Sequence, residues 1–194
     1  MTEAGTGQLP EFPVRLWNDR LAIPACVLRP AAFNDLPFLR RLYHSFRKDE
    51  LAHIPWPQEH KDAFLNQQFD LQHRYYIAAF PQTDFLIIEK DGTPIGRLYI
   101  QMAAHNWHII DIGFLPEWRN RGMGSAMLSS IQDAAIAGNA GGIVLHVDQN
   151  NRRARGLYEA LGFKAADTSD THIRMEWLSP QHPSEPTDVS SAVN

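Results

Sequence analysis

Two glycines, Gly122 and Gly124, mark the point at which a strand pattern changes into a helical pattern. Residues 107–115 before them are dense in Ile and Phe, and residues 122–137 are spaced as an amphipathic helix. Glycine leaves the backbone N–H groups of such a turn unshielded, and the dipole at a helix N-terminus favours negative charge. The segment therefore predicts a strand–turn–helix unit that binds an anion, with Arg119 and Arg121 as additional cationic donors.

This turn differs from the best-known phosphate loops. No Lys-Ser or Lys-Thr pair follows the glycines, as a P-loop requires, and no third glycine completes a G-x-G-x-x-G pattern. A plain glycine-containing loop with solvated arginines is the alternative interpretation of the same residues. The spacing of the two glycines alone leaves both interpretations open.

Short strand patterns and amphipathic helix patterns follow one another along the rest of the chain. Strands are expected at 25–28, 85–89, 95–102, 107–115, 142–147 and 171–177, and helices at 36–46, 58–73, 122–137 and 151–161. Asn34 or Asp35 is expected to cap the first helix, and the Asp91-Gly92 pair predicts a hairpin turn. The order β-α-α-β-β-β-α-β-α-β predicts a mixed α/β (α+β) sheet covered by helices, without the regular alternation of a doubly wound nucleotide fold.

Composition narrows the classes of function. The 194 residues include 18 Lys+Arg and 22 Asp+Glu, a formal net charge of −4, which argues against nucleic acid as a partner. The single cysteine, Cys26, excludes an internal disulfide and a multi-cysteine metal site. The longest apolar stretches are too short to span a bilayer and the first fourteen residues lack a leader pattern, so no membrane contact is expected and the expected location is the cytoplasm.

The chain length is typical of one domain. Residues 1–13 and 179–194 are polar, small and proline-containing, and we expect both to be flexible tails. Residues 14–178 contain no linker and no internal repeat. We therefore expect them to form a single domain.

Two motifs in this region resemble those of the GNAT superfamily of N-acetyltransferases. Arg119-x-x-Gly122-x-Gly124, preceded by Leu-Pro-Glu and followed by a helix, resembles the acetyl-CoA signature of that superfamily. About thirty residues further on, a second stretch resembles its N-x-x-A-x-x-L-Y-x-x-x-G-F helix, with Asn151, Ala154, Leu157, Tyr158, Gly162 and Phe163 at the matching positions. The resemblance covers about residues 25–178 and is sharp from 109 to 163.

The resemblance implies acetyl-CoA as the cosubstrate, no metal, and direct attack by a primary amine in a ternary complex. In that superfamily, backbone amides of the turn hold the pyrophosphate of coenzyme A, and the matching residues here are Arg121, Gly122, Met123, Gly124 and Ser125. The strand matching 110–115 splays from the strand matching 143–147, and its exposed backbone pairs with the pantetheine arm. The implied cofactor-binding residues therefore also include Ile112, Phe114, Leu115 and Arg119.

Two residues of the second motif have a functional and a structural interpretation. Asn151 matches a residue that contacts the cofactor arm, and a helix N-cap is the alternative role. Tyr158 matches a cofactor-binding and catalytic hydroxyl near the coenzyme sulfur, where it would protonate the departing thiolate. The alternative for Tyr158 is a core tyrosine on the inner face of an amphipathic helix.

Asp111 is the first candidate for the base that takes the amine proton. It interrupts the apolar run Ile109-Ile110-Asp111-Ile112, and a charged side chain in such a strand requires a reason. The alternative is that Asp111 faces solvent or pairs with a neighbouring arginine. His108 is a second candidate base, whereas the spacing of His105 and His108 along a strand places them on opposite faces and disfavours a shared metal.

Acceptor specificity is expected to reside in residues 33–76. Aromatic side chains and carboxylates there would suit a cationic amine, or they would be core residues and a solvated helix face. The sequence does not identify the acceptor. A non-catalytic acyl-CoA-binding module is the competing class of function, a phosphate-loop nucleotide binder is a third, and the resemblance is compatible with a homodimer.

Overall fold

The computed structural model describes residues 8–17 and 21–181. Seven strands and four α-helices are found in these ranges, which confirms the predicted mixed α/β class. Their bounds are β1 Val27–Pro30, α1 Leu36–Arg47, α2 Gln58–Ala79, β2 Asp84–Lys90, β3 Thr93–Met102, β4 Asn106–Phe114, α3 Met123–Ala137, β5 Gly142–Asp148, α4 Arg152–Ala160, β6 Lys164–Thr168 and β7 His172–Leu178. None of the helices in the described ranges has the length and apolarity that crossing a membrane requires.

Two compact units make up the described chain. The first comprises the residues up to Gln101 together with Ile109–Ser130. The second comprises Met102–His108 together with the residues from Ile131 onward. The glycine-containing turn and the first half of α3 lie in the first unit.

In the first unit the strands are ordered β1-β2-β3-β4. Strand β2 is antiparallel to both of its neighbours, with Leu86 opposite Pro30 of β1 and opposite Leu98 of β3. The β2–β3 connection is the predicted hairpin turn, in which Asp91 and Gly92 have φ values of 49° and 72°. Both values lie in the left-handed region that a two-residue hairpin loop favours, which is why an Asp-Gly pair predicts it.

Helices α1 and α2 pack over the strands of this unit and bury its hydrophobic core. The apolar stripe of α1 contributes Leu39 and Leu42, both fully buried, and α2 contributes Leu65 and Phe69. Helix α2 continues to Ala79, beyond the predicted end at residue 73, because Tyr76 and Ile77 also pack against this core.

Phe12 is buried in the same core, although it falls within the predicted N-terminal tail. A single large aromatic ring offsets part of the entropy of ordering this otherwise polar segment. The Nε2 atom of His73 lies 2.7 Å from the carbonyl oxygen of Pro10 and adds a hydrogen bond to it. Residues 1–7 and 182–194 of the two predicted tails lie outside the described residues.

In the second unit, β7 lies between β5 and β6 and is antiparallel to both. Leu145 lies opposite Met175, and both side chains are buried. The predicted order of elements lacks strand β6 and is corrected by it. All five of its residues are exposed and none is a large apolar side chain, so the strand is formed by backbone pairing with β7 and carries no hydrophobic pattern.

Candidate active site

The glycine turn, residues 119–125, follows the end of β4 and begins α3. After a short 3-10 helix at Pro116–Trp118, the backbone is extended at Arg119 and left-handed at Asn120 and Gly122, with φ values of 62° and 76°. The first hydrogen bond of α3 runs from the Ala126 N–H to the Gly122 carbonyl oxygen, at 2.9 Å. The N–H groups of Met123, Gly124 and Ser125 precede this bond and therefore have no acceptor within the helix.

Open space surrounds the Cβ position of Gly122 in this turn. A Cβ atom added to Gly122 would meet no heavy atom within 4 Å. The left-handed φ, rather than crowding, is therefore the reason for glycine at this position. The first turn of α3 has backbone donors and the positive end of the helix dipole, which are the features that the predicted anion site requires.

The side chain of Arg119 braces the glycine turn. Its Nε donates to the carbonyl oxygen of Phe114, at 2.8 Å, and its Nη2 donates to the hydroxyl of Ser45 on α1, at 2.7 Å. Its guanidinium lies 4.8 Å from the centroid of the Phe46 ring. The predicted phosphate donor is thus held against α1 and the end of β4, where it fixes the path of the chain into the turn.

Arg121 supplies a positive charge beside the turn. The side chain is exposed and its guanidinium lies 5.5 Å from the centroid of the Trp118 ring. The ammonium of Lys90 lies at the same distance from that ring. Two cations therefore lie near one aromatic ring beside the turn, where each would attract an anionic ligand.

Asp111 belongs to a buried polar network. Its Oδ2 accepts hydrogen bonds from Arg97 Nη2, at 2.6 Å, and from the Tyr76 hydroxyl, at 3.0 Å. Arg97 Nη2 also donates to Gln72 Oε1, at 3.1 Å. The Arg97 side chain is 2% exposed and that of Asp111 is 15% exposed. Of the two sequence interpretations of Asp111, the structure shows the ion pair with a neighbouring arginine, so this carboxylate is the counter-ion of a buried guanidinium.

Two tyrosines complete this network in their protonated form. Burial raises the pKa of Tyr76 far above its ordinary value, and the neighbouring Asp111 carboxylate raises it further. Burial also raises the pKa of Tyr99 to about 12. Tyr76 therefore remains a hydrogen-bond donor to Asp111 throughout the neutral pH range.

Phe46 connects the buried network to the glycine turn. The centroid of its ring lies 5.9 Å from the Arg97 guanidinium and 4.8 Å from the Arg119 guanidinium. The ring packs directly on the backbone of β4, because a Cβ at Gly113 would lie 2.4 Å from Phe46 Cζ. The sequence analysis did not assign Phe46 or Gly113 to the site. A glycine inside an apolar strand is the signal that indicates such a close approach.

The remaining strand residues predicted to bind the cofactor lie beside the turn. Ile112 is partly buried, whereas Phe114 and Leu115 are buried. The Leu115 N–H donates to the Ile95 carbonyl oxygen, at 2.9 Å, which ties the end of this segment to β3. The Phe114 carbonyl oxygen accepts a hydrogen bond from Arg119, so the backbone of this segment also positions the turn.

Asn151 and Tyr158 lie in the second unit. Asn151 is the N-cap of α4, and Tyr158 lies within this helix. The Asn151 side chain accepts a hydrogen bond from the Ala154 N–H, at 3.0 Å, so the N-cap interpretation describes its position. Tyr158 is buried, and its ring centroid lies 5.8 Å from that of Phe163. The ring therefore packs in the core of this unit, as the structural interpretation expected.

His108, the second candidate base, lies in the second unit beside His146, with ring centroids 5.4 Å apart. Burial lowers the pKa of His108, and the neighbouring His146 and Arg174 lower it further. Burial and the charge of Arg174 also lower the pKa of His146. Both imidazoles are therefore neutral at pH 7. Within residues 8–17 and 21–181, no group of three or more His, Cys, Asp or Glu side chains is arranged to hold a metal ion.

This protein combines a mixed sheet with a glycine turn and a helix that follows the turn. These features are typical of α/β proteins that offer backbone donors to an anionic ligand. A protein-family model with the description "Acetyltransferase (GNAT) family" matches residues 39–163 of this chain. The chain belongs to this family, and the predicted resemblance is confirmed.

Known proteins support the same assignment. An acetyltransferase from Yersinia pestis (strain Pestoides F) is 29% identical over 84 residues, which are 43% of this chain and 60% of that protein. The match thus spans less than two thirds of the relative's length.

Solved structures share the fold at low identity. PaiA N-acetyltransferase from Thermoplasma acidophilum, in complex with coenzyme A, has a TM-score of 0.60 and 19% identity over 79% of this chain and 98% of its own. Spermidine N-acetyltransferase from Vibrio cholerae, in complex with CoA and spermine, has a TM-score of 0.55 and 18% identity over 81% of this chain and 98% of its own.

Proposed function

We propose that this protein is an acetyl-CoA-dependent N-acetyltransferase that acts on a primary amine in a ternary complex. The observation that carries the proposal is the glycine turn, where the N–H groups of Met123, Gly124 and Ser125 precede the first hydrogen bond of α3 and the Cβ position of Gly122 is open. Family membership and the coenzyme A complex of PaiA support the same ligand. The diphosphate of acetyl-CoA is the anion that this turn would bind.

The residues around the turn have two roles in this proposal. The backbone amides of residues 121–125 hold the diphosphate, while Arg121 adds charge at the surface. Ile112, Phe114 and Leu115 border the pantetheine arm. Arg119 maintains the shape of the turn through its contacts with Phe114 and Ser45.

The reaction needs a proton donor and a proton acceptor. The amine nitrogen forms a bond to the thioester carbonyl carbon, the C–S bond breaks, the nitrogen loses a proton and the thiolate gains one. Positioning and backbone donors at the carbonyl oxygen supply the main acceleration. We assign the role of proton donor to Tyr158 and the role of proton acceptor to Asp111 or to water. Asn151 would contact the cofactor arm.

A charge at the turn tests cofactor binding directly. Ser125→Asp places a carboxylate in the first turn of α3, where it favours the helix dipole and repels a diphosphate. We expect the affinity for acetyl-CoA, measured by calorimetry, to fall about tenfold or more while the melting temperature is kept. Ser125→Asn, of the same size and uncharged, is the control and should bind nearly as the wild type does. Equal affinities of the two variants would contradict binding at this turn.

The Tyr158 hydroxyl is tested by turnover. Tyr158→Phe keeps the ring that packs on Phe163 and removes only the hydroxyl. We expect kcat for thiol release to fall about a hundredfold, the size typical of a lost general acid, with the calorimetric affinity for acetyl-CoA unchanged. An unchanged kcat would remove Tyr158 from the mechanism. Binding of acetyl-CoA by the wild type without thiol release from any amine in a broad panel would instead favour the non-catalytic module.

A further inference from the structure

Exposed apolar side chains form a continuous stripe along the outer face of α2. Phe64, Leu71 and Tyr75 are 36%, 55% and 60% exposed. They are seven and four residues apart along the chain, so they share one face of the helix. Trp56, just before α2, is 44% exposed and extends the stripe, because its ring centroid lies 5.7 Å from that of Phe64 in an edge-on contact. We call these four residues the α2 stripe.

The surface around the α2 stripe carries little charge. Between residues 63 and 79, the exposed residues are Ala63, Phe64, Gln67, Leu71, Arg74, Tyr75, Ala78 and Ala79. Arg74 is the only charged residue of this set, and it lies about 80° from Phe64 around the helix axis, at the flank of the stripe. A helix that binds an anionic membrane surface has lysines and arginines along its polar face. The α2 stripe is therefore better suited to a protein surface.

The size of the α2 stripe matches the apolar part of a dimer interface. Its four side chains have about 200 Å² of surface each, and roughly half of that is exposed, which gives about 400 Å² of apolar surface. A stable interface takes about 800 Å² from each partner, and somewhat more than half of this area is apolar. Neutral side chains beside the stripe, such as Gln67 and Gln68, would supply part of the polar remainder.

The α2 stripe is also complementary to itself. Two α2 helices that pack antiparallel about a two-fold axis near their middle bring Phe64 of one protomer opposite Tyr75 of its partner, and Leu71 opposite Gln68. Each of these pairs occurs twice, so the contact closes at two copies and does not continue into a fibre. The two copies of Leu71 then lie within one helical turn of each other along the helix axis.

We propose that the α2 stripe is the interface of a homodimer in which α2 packs against α2 of a second copy of this chain. The proposal concerns assembly and does not depend on the reaction. On its inner side, α2 supplies Gln72 and Tyr76, whose hydrogen bonds reach Arg97 and Asp111. Dimer contacts therefore stabilise the helix that provides two partners of the buried polar network.

Sedimentation of the full chain at several concentrations tests the interface. We expect the wild type to sediment as a dimer at micromolar concentrations. Leu71→Glu brings two carboxylates close together across the two-fold axis, so we expect dimerisation to weaken about a hundredfold or more. Glutamate is a good helix former at this exposed position, and helical content by circular dichroism should be unchanged. Leu178→Glu, the same substitution at a residue that is 50% exposed at the end of β7, is the matched control and should remain dimeric.

A mixture of oppositely charged variants tests how the two helices are aligned. Leu71→Lys repels its own copy as Leu71→Glu does, whereas an equimolar mixture of the two pairs an ammonium group with a carboxylate. We expect each variant to be monomeric alone and the mixture to form a heterodimer. A mixture that stays monomeric would overturn the antiparallel alignment.

Other outcomes would overturn the interface itself. One is a monomeric wild type, and another is a Leu71→Glu protein that dimerises as the wild type does. A monomeric wild type that sediments with phosphatidylcholine vesicles would assign the α2 stripe to a lipid surface in place of a second copy.

Discussion

Replacing Asp111 with alanine is expected to lower the free energy of unfolding by about 3 kcal/mol or more. Arg97 is 2% exposed, and its ion pair with Asp111 is its only one among the described residues. Removing the carboxylate leaves a buried guanidinium without a counter-ion, and Tyr76 loses the acceptor of its hydroxyl. Urea titration of the variant beside the wild type measures the loss.

Two further variants separate charge from shape in this network. Asp111→Asn keeps the size and one acceptor oxygen, so we expect a smaller loss of stability than in the alanine variant. Replacing both charges, as in Arg97→Met/Asp111→Leu, should recover most of the stability, because no buried charge is left unpaired. If Asp111→Ala were as stable as the wild type, the ion pair would not be important to the fold.

Asp111→Asn also distinguishes the two proposed roles of the carboxylate. A base is lost together with its charge, so turnover of the folded variant would fall well beyond any change in stability. A counter-ion that only supports the fold would leave kcat nearly unchanged once the protein is fully folded. The comparison requires kinetics at a temperature well below the melting transition of the variant.

Gly96→Ala is expected to destabilise the first unit by about 2–3 kcal/mol. A Cβ at this position would lie 2.5 Å from the Gly113 carbonyl oxygen and 2.9 Å from Phe114 Cδ1. The first of these atoms belongs to the backbone of β4, so it cannot move aside as a flexible side chain would. Relief of the clash requires the two strands to separate at the point where β4 leads into the glycine turn.

Gly156→Ala is the matched control for this substitution. It lies within α4, and a Cβ there would meet no heavy atom within 4 Å. Alanine is the better helix former, so this variant should gain about 0.5–1 kcal/mol of stability. Both values follow from urea titrations under the same conditions. A Gly96→Ala protein as stable as the wild type would show that β3 and β4 are less closely packed than described.

The sequence predicts most of this fold because most of its elements have a local signal. The apolar stripe of α1, the Asp91-Gly92 hairpin and the buried strand β5 each depend on residues within one short window. Strand β6 could not be found in this way. Its side chains are exposed and it pairs with β7 through the backbone, so nothing in its own residues distinguishes it from a loop.

The same distinction applies to the candidate site. The glycine turn was predicted because its glycines and the flanking patterns are contiguous in the chain. The partners of Arg119 and Asp111 could not be predicted in this way, because Ser45 is 74 residues from Arg119 and Tyr76 is 35 residues from Asp111. Which arginine would meet Asp111 depends on the register of β3 against β4, and a single sequence does not specify it.

The Phe46 ring of α1 contacts both Arg97 and Arg119. The ring packs closely on Gly113, so α1 and β4 are in direct contact at this point. A shift of α1 would therefore disturb the contacts of Arg119 with Ser45 and Phe46, ahead of α3.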